Sequence, residues 1–227
     1  MTYTEVGHCR IIDLDGTDSP SAELAELCDR ITWDEEARVV LLIFGGEING
    51  AGQTSLAEPI AKLKLPVVAA IRGDAIGPAL ELALACDIRI GTENARFGLP
   101  QIRDGLIPCN GGTQRLPRLV GLGKAMQMIL TGELINSEEA CRIGLINRVT
   151  DSGSLIKMGM ALAQEMAEKS PLSLCYVKEA LYNGGDLTLD QGLRMELDLY
   201  LLLFTTSDRN EGIAAFREKR KPNFKGD

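Results

Sequence analysis

Residues 65–112 read LPVVAAIRGDAIGPALELALACDIRIGTENARFGLPQIRDGLIPCNGG, and this stretch decides the fold. Pro66 opens an apolar, β-rich run from Val67 to Ile71, which predicts a strand. Gly73 and Gly77 then frame a tight segment. The nearly all-apolar run over 78–86 predicts a helix beginning at Pro78 and carrying one acid, Glu81. Residues 87–90 predict a second strand. Phe97-Gly98-Leu99-Pro100-Gln101 predicts a loop, and Gly111-Gly112 a second glycine turn.

Strands alternate with helices on both sides of this centre. Before it, strands are expected over 10–14 and 38–44, the second continuous enough to be buried on both faces. Ser21 is placed to cap a helix over 21–31, with Leu24, Leu27 and Ile31 on one face. After it, helices are expected over 116–130, from Asn136 or Ser137 to Gly144, and over 154–169, with a short strand over 145–149. Ser170-Pro171 starts another helix, broken at Gly184-Gly185, and two more follow over 188–204 and 208–217. Such alternation implies parallel β–α units, an α/β fold.

The totals narrow the function classes. A net charge of −8 argues against nucleic acid or an anionic membrane as partner. No run of 18 apolar residues is present, so no membrane-spanning helix is expected. Residues 1–10 lack a leader pattern, and the six cysteines include no C-x-x-C pair. The expectation is a reduced, cytoplasmic setting with mostly buried free thiols. Cys109 lies in a glycine-rich turn, where a small residue is the simpler reading than a reactive thiol. Asp13, Asp15 and Asp18 around Gly16 do not match a calcium loop and are read as a turn. His8 is the single histidine, so neither a histidine triad nor a histidine-rich metal site is expected; no metal is called for. Residues 45–55, GGEINGAGQTS, match neither G-x-G-x-x-G nor the P-loop pattern.

Four motifs carry a family resemblance: Pro66-Val67-Val68-Ala69-Ala70, Glu81-Leu82-Ala83 with Cys86-Asp87-Ile88, Phe97-Gly98-Leu99-Pro100, and Gly111-Gly112-Thr113-Gln114-Arg115-Leu116-Pro117. Together they resemble the centre of the crotonase (enoyl-CoA hydratase/isomerase) family. The resemblance implies a crotonase-type ββα spiral core over residues 1–185 and a C-terminal helical region over 186–227. It further implies an acyl-CoA thioester as substrate, with coenzyme A part of that substrate and no separate cofactor. Assembly as a homotrimer or homohexamer is implied as well.

Glu81 is the leading catalytic candidate. Burial favours its neutral acid and the start of a helix favours its anion. From the residues alone, a buried glutamate paired to an arginine is as good a reading as a base. By the resemblance, Glu81 coincides with one of two glutamates that hydratases use. The second position holds Gln101, an amide that cannot exchange a proton near neutral pH. Asp104, three residues on, is either a substitute or a solvated loop acid. The family's oxyanion hole takes one N–H from the glycine loop, here at Gln53, and one from the start of the Glu81 helix. That second position is Pro78, which has no N–H, leaving Ala79 as the neighbouring donor. Proline is also simply favoured at a first helical position. Phe216 and Lys219 match a C-terminal motif that reaches CoA in the family; read without it, they are a solvated basic tail. The first segment and the stretch between the glycine loop and Pro66 are shorter than usual for the family.

Overall fold

The computed structural model describes residues 1–15, 21–46, 48 and 55–227. Its centre is a six-stranded sheet. The strands in chain order are β1 (Thr2–Val6), β2 (Cys9–Asp13), β3 (Val39–Phe44), β4 (Val67–Ile71), β6 (Ile88–Thr92) and β9 (Arg148–Thr150), and they lie side by side in that order. Only the β1–β2 hairpin is antiparallel; every other neighbour pair is parallel. A second sheet of three short strands, β5 (Ala75–Ile76), β7 (Arg96–Gly98) and β8 (Ile135–Asn136), stands apart from the first.

The central strands are buried on both faces because their side chains alternate between two cores. Val40, Leu42 and Phe44 of β3 join Val67, Ala69 and Ile71 of β4 in the larger core. That core also takes in α1 (Ser21–Thr32), α2 (Ala57–Lys62) and α3 (Pro78–Ala85). The alternate residues Val39, Leu41, Ile43, Val68 and Ala70 face α7 (Leu155–Ala167) in the smaller core. Gly159 lets α7 sit close, since a Cβ there would lie 3.0 Å from Leu41 Cδ1. Helices α4 (Gly112–Val120) and α5 (Leu122–Thr131) lie between β7 and β8 in the chain, and α6 (Ser137–Arg142) follows β8. Asn136 caps α6 by accepting the N–H of Glu139.

The last three helices, α8 (Pro171–Gly184), α9 (Leu189–Leu203) and α10 (Ser207–Glu218), form a separate tier. Lys178 fastens α8 to the sheet: its Nζ donates to Leu65 O at 2.9 Å and to Asp87 Oδ2 at 2.8 Å. The same Asp87 oxygen accepts the N–H of Val67. The chain end folds back, with Phe224 O accepting from Arg38 and the buried Asp208 accepting the N–H of Lys225. Helices α8 and α9 bury no residue of their own, and Val177, Leu181, Leu193, Leu197 and Leu201 are exposed. Among the described residues no helix is long and apolar enough to cross a membrane.

Several sequence expectations shift. The helix expected over 116–130 is two helices, because Gly121 at φ 81° breaks it. The strand expected over 145–149 forms later, as β9. The loop at 97–101 is part strand and part 3-10 helix, Pro100–Asp104. Strand β1 was not anticipated. Cys9, Cys28 and Cys86 are buried free thiols, and burial pushes Cys28 and Cys86 up to about 12; Cys109 and Cys141 are exposed. Asp13 and Asp15 both pair with Arg72. Gly16 and Asp18 lie outside the described residues.

Gly98 offers a direct test of the second sheet. A Cβ there would lie 2.5 Å from Leu134 Cδ2 and 2.7 Å from the carbonyl oxygen of Glu133. Gly98→Ala is expected to cost about 1–3 kcal/mol, the range for overpacking a tight interior. Thermal melting followed by circular dichroism should show a clear drop; an unchanged midpoint would mean that residues 133–134 retreat freely.

Candidate active site

The site grows from two residue pairs. In the second sheet Ala75 lies beside Phe97 and Ile76 beside Gly98, in parallel. Just beyond each strand the chain turns into a helix: α3 after Gly77, the 3-10 helix after Leu99. Gly77 N donates to Gly98 O at 2.9 Å. Two strands in register therefore deliver two helix starts side by side, and with them Glu81 and Gln101. Gly77 takes φ 57°, and a Cβ there would lie 3.7 Å from Gln101 Nε2, so the amide rests against the helix start.

Glu81 has no exposed surface. Its Oε1 accepts the backbone N–H of Asn110 at 2.7 Å and of Gly112 at 2.9 Å. Its Oε2 accepts one bond, from Gln101 Nε2 at 3.2 Å. Among the described residues no lysine or arginine pairs with it, so the arginine-paired reading gives way to a carboxylate held by N–H donors. Oε1 is fully occupied, while Oε2 keeps capacity for another partner.

The glycine turn supplies these donors. Gly111 has φ 95°, and a Cβ there would run into the Arg115 guanidinium. Arg115 Nη1 donates to Asn110 O at 2.9 Å and braces the turn. A Cβ on Gly112 would lie 3.0 Å from Glu81 Oε1. Asn110, Gly112 and Arg115 were not singled out from sequence as Glu81's supports. Backbone N–H groups have no residue identity, and the paired glycines were the one available signal.

The remaining candidates fall in different places. Gln101 is half-buried, and its Oε1 is buried with no hydrogen-bond partner among the described residues. Pro78 is the first residue of α3, so the first free N–H groups of that helix are those of Ala79 and Leu80. Gln53 lies outside the described residues. Asp104 is exposed at the end of the 3-10 helix and makes no bond to Glu81 or Gln101. Phe216 is 85 % exposed on α10, and Lys219 ends that helix at φ 55°; the described contacts bring neither to Glu81. A cavity of about 990 Å³ opens between α4 and α8 and is lined by Gly111, Arg115, Leu174, Lys178 and Tyr182. It shares the glycine turn with Glu81 and reaches neither Glu81 nor Gln101.

Comparison with known proteins places this arrangement. A family model described as "Enoyl-CoA hydratase/isomerase" matches residues 46–227. The chain is 47% identical over 161 residues to a 2,3-dehydroadipyl-CoA hydratase of Escherichia coli (strain K12), covering 71% of this chain and 63% of that protein. It is 36% identical over 226 residues to an (E)-benzylidenesuccinyl-CoA hydratase of Thauera aromatica, covering 91% and 88%. The match thus spans under two thirds of the E. coli relative's length. The crystal structure of an enoyl-CoA hydratase from Bacillus anthracis superposes with TM-score 0.93 at 34% identity, over 100% of this chain and 99% of that one. With the ββα core in place and its buried glutamate seated on the glycine turn, the chain belongs to the enoyl-CoA hydratase/isomerase, or crotonase, family.

Proposed function

We propose that the chain acts on an acyl-CoA thioester through an enolate, with Glu81 as its single base. The observation that carries this reading is the state of Glu81: wholly buried, fixed through two bonds at Oε1, and bonded only once at Oε2. Oε2 removes a proton from the carbon next to the thioester carbonyl, or from the vinylogous γ-carbon. The N–H groups at the start of α3, Ala79 first, stabilise the developing oxyanion. The glycine-loop donor at Gln53 is the second contribution. Coenzyme A enters as part of the substrate.

Hydration of an enoyl thioester requires deprotonation of water and protonation of Cα. Two carboxylates do this in concert; Gln101 offers no second one. Double-bond isomerisation moves one proton out and back on one carboxylate, and decarboxylation asks for still less. Isomerase-like or decarboxylase-like chemistry is therefore favoured over two-glutamate hydration, although the relatives carry hydratase names. Pro78 favours a second reading, a non-catalytic paralogue that binds acyl-CoA weakly or serves as an assembly subunit. One missing oxyanion donor is worth about 3 kcal/mol of barrier, whereas a positioned base contributes roughly 10²- to 10⁴-fold. The balance leaves measurable turnover if Ala79 substitutes for Pro78. The exposed leucines of α9 support a homotrimer or homohexamer, in which Phe216 and Lys219 of one copy complete the CoA site of another.

Three measurements test this reading. Exchange of the α-hydrogens of butyryl-CoA in heavy water needs only the base and some enolate stabilisation. Glu81→Gln is expected to slow it by roughly 10²-fold or more while the protein stays folded. Equal rates in the two proteins would make the non-catalytic reading the better one. Gln101→Glu should raise crotonyl-CoA hydration well above the parent level; no gain in a folded, binding-competent variant would shift the cause to Pro78. Calorimetric titration with acyl-CoA should show Lys219→Ala binding up to about fivefold more weakly, the scale of an exposed charge pair. Undetectable binding by the unmutated chain would overturn the acyl-CoA reading itself.

A further inference from the structure

Asn110 is gripped at both ends. Its N–H donates to Glu81 Oε1 at 2.7 Å, and its carbonyl oxygen accepts from Arg115 Nη1 at 2.9 Å. Two residues on, the N–H of Gly112 reaches the same Glu81 oxygen at 2.9 Å. Between them Gly111 stands at φ 95°, so the backbone changes hand and turns both N–H groups to one side. A pair of glycines is the freest dipeptide a chain can offer, and nothing in its own preferences selects this shape. Rotation of the peptide that joins Asn110 to Gly111 would swing the Gly112 N–H off Oε1. Among the described residues, the one side chain bonded to that peptide is Arg115.

Arg115 stands where a cation is not favoured for its own sake. Its guanidinium folds back over the N-terminal end of α4, where the helix dipole prefers an anion. It lies against Gly111, where a Cβ would run into it, and among the described residues it forms no ion pair. Its charge serves the turn, not a carboxylate. We infer that Arg115 is a positioning residue for Glu81. By holding the Asn110 carbonyl it keeps the N–H groups of Asn110 and Gly112 converged on Oε1, which fixes the carboxyl plane and leaves Oε2 as the proton-accepting oxygen. This rests on the reading of Glu81 as the base and goes further by naming the group that fixes its direction. Arg115 itself touches no reacting atom. With the turn released, Glu81 stays in its place on α3 while its carboxyl rotates away from the productive geometry. A misplacement of about 1 Å at such a group costs up to roughly 10²-fold in rate.

The experiment measures exchange of the α-hydrogens of butyryl-CoA in heavy water at saturating ligand, beside its calorimetric Kd. Arg115→Met keeps the aliphatic stem and removes the donors. It is expected to slow turnover by roughly tenfold to 10²-fold while Kd stays within about twofold. A readout apart from turnover is the protection of backbone N–H groups against solvent deuterium, followed by NMR. Asn110 and Gly112 should lose protection in Arg115→Met, while the N–H groups of β4 keep theirs. A merely structural role would weaken binding with the rate and lower protection at β4 along with the turn, and that result overturns the inference. Turnover equal to the parent's, or undiminished protection at Asn110 and Gly112, overturns it as well. Should Arg115→Met fail to fold, Arg115→Lys, which keeps the charge but not the planar fork, is measured in the same way with the same expected loss. No turnover by the unmutated chain, or equal turnover by Glu81→Gln, sinks the reading of Glu81 as the base and this inference with it. Failure of Arg115 alone leaves that reading standing.

Discussion

A carboxylate with no exposed surface and no cation beside it survives only if hydrogen bonds replace the water it has lost. Glu81 meets that condition with two backbone N–H groups on one oxygen and an amide on the other. Those three donors come from two segments that follow α3 in sequence, the 3-10 helix and the glycine turn. The carboxylate thereby ties both segments to the helix that carries it. Breaking the bonds to Oε1 would strand a buried charge at a cost of several kcal/mol, which makes the site part of the fold's own stability. The features around it answer to the same need. Gly111 adopts a left-handed backbone, Gly112 leaves room for Oε1, and Arg115 donates to the Asn110 carbonyl just before them.

The layout of the central sheet was readable because its residues leave no choice. The runs at 39–44 and 67–71 are apolar at every position, as strands buried on both faces must be. The helix from Pro78 was equally plain, and its single acid marked itself by composition. The second sheet was not readable, since strands of two or three residues have no periodicity and exist through tertiary pairing. Gly121 was read as passing through a helix that it in fact divides. The candidate site was half legible. Glu81 and Gln101 stand out as residues, and the family resemblance set them together. The N–H groups that hold Glu81 belong to the backbone, and only their glycine neighbours hinted at them.

Two substitutions relative to the family pattern act on different parts of one reaction. Pro78 removes an N–H from the helix start, where the proposed reading puts the thioester oxygen. Gln101 removes a proton carrier but keeps both a donor and an acceptor. On the proposed reading, the first would weaken enolate stabilisation for every reaction of this class. The second is selective, because it disables only steps that need a second acid or base.

Gln101 matters in this balance because its two ends do different jobs. The nitrogen completes the shell of a buried carboxylate, a structural duty that glutamate could perform only when protonated. The oxygen is buried and accepts no hydrogen bond among the described residues. An amide supplies that donor without adding charge beside Glu81, where two carboxylates within hydrogen-bond distance would repel and force one to hold a proton.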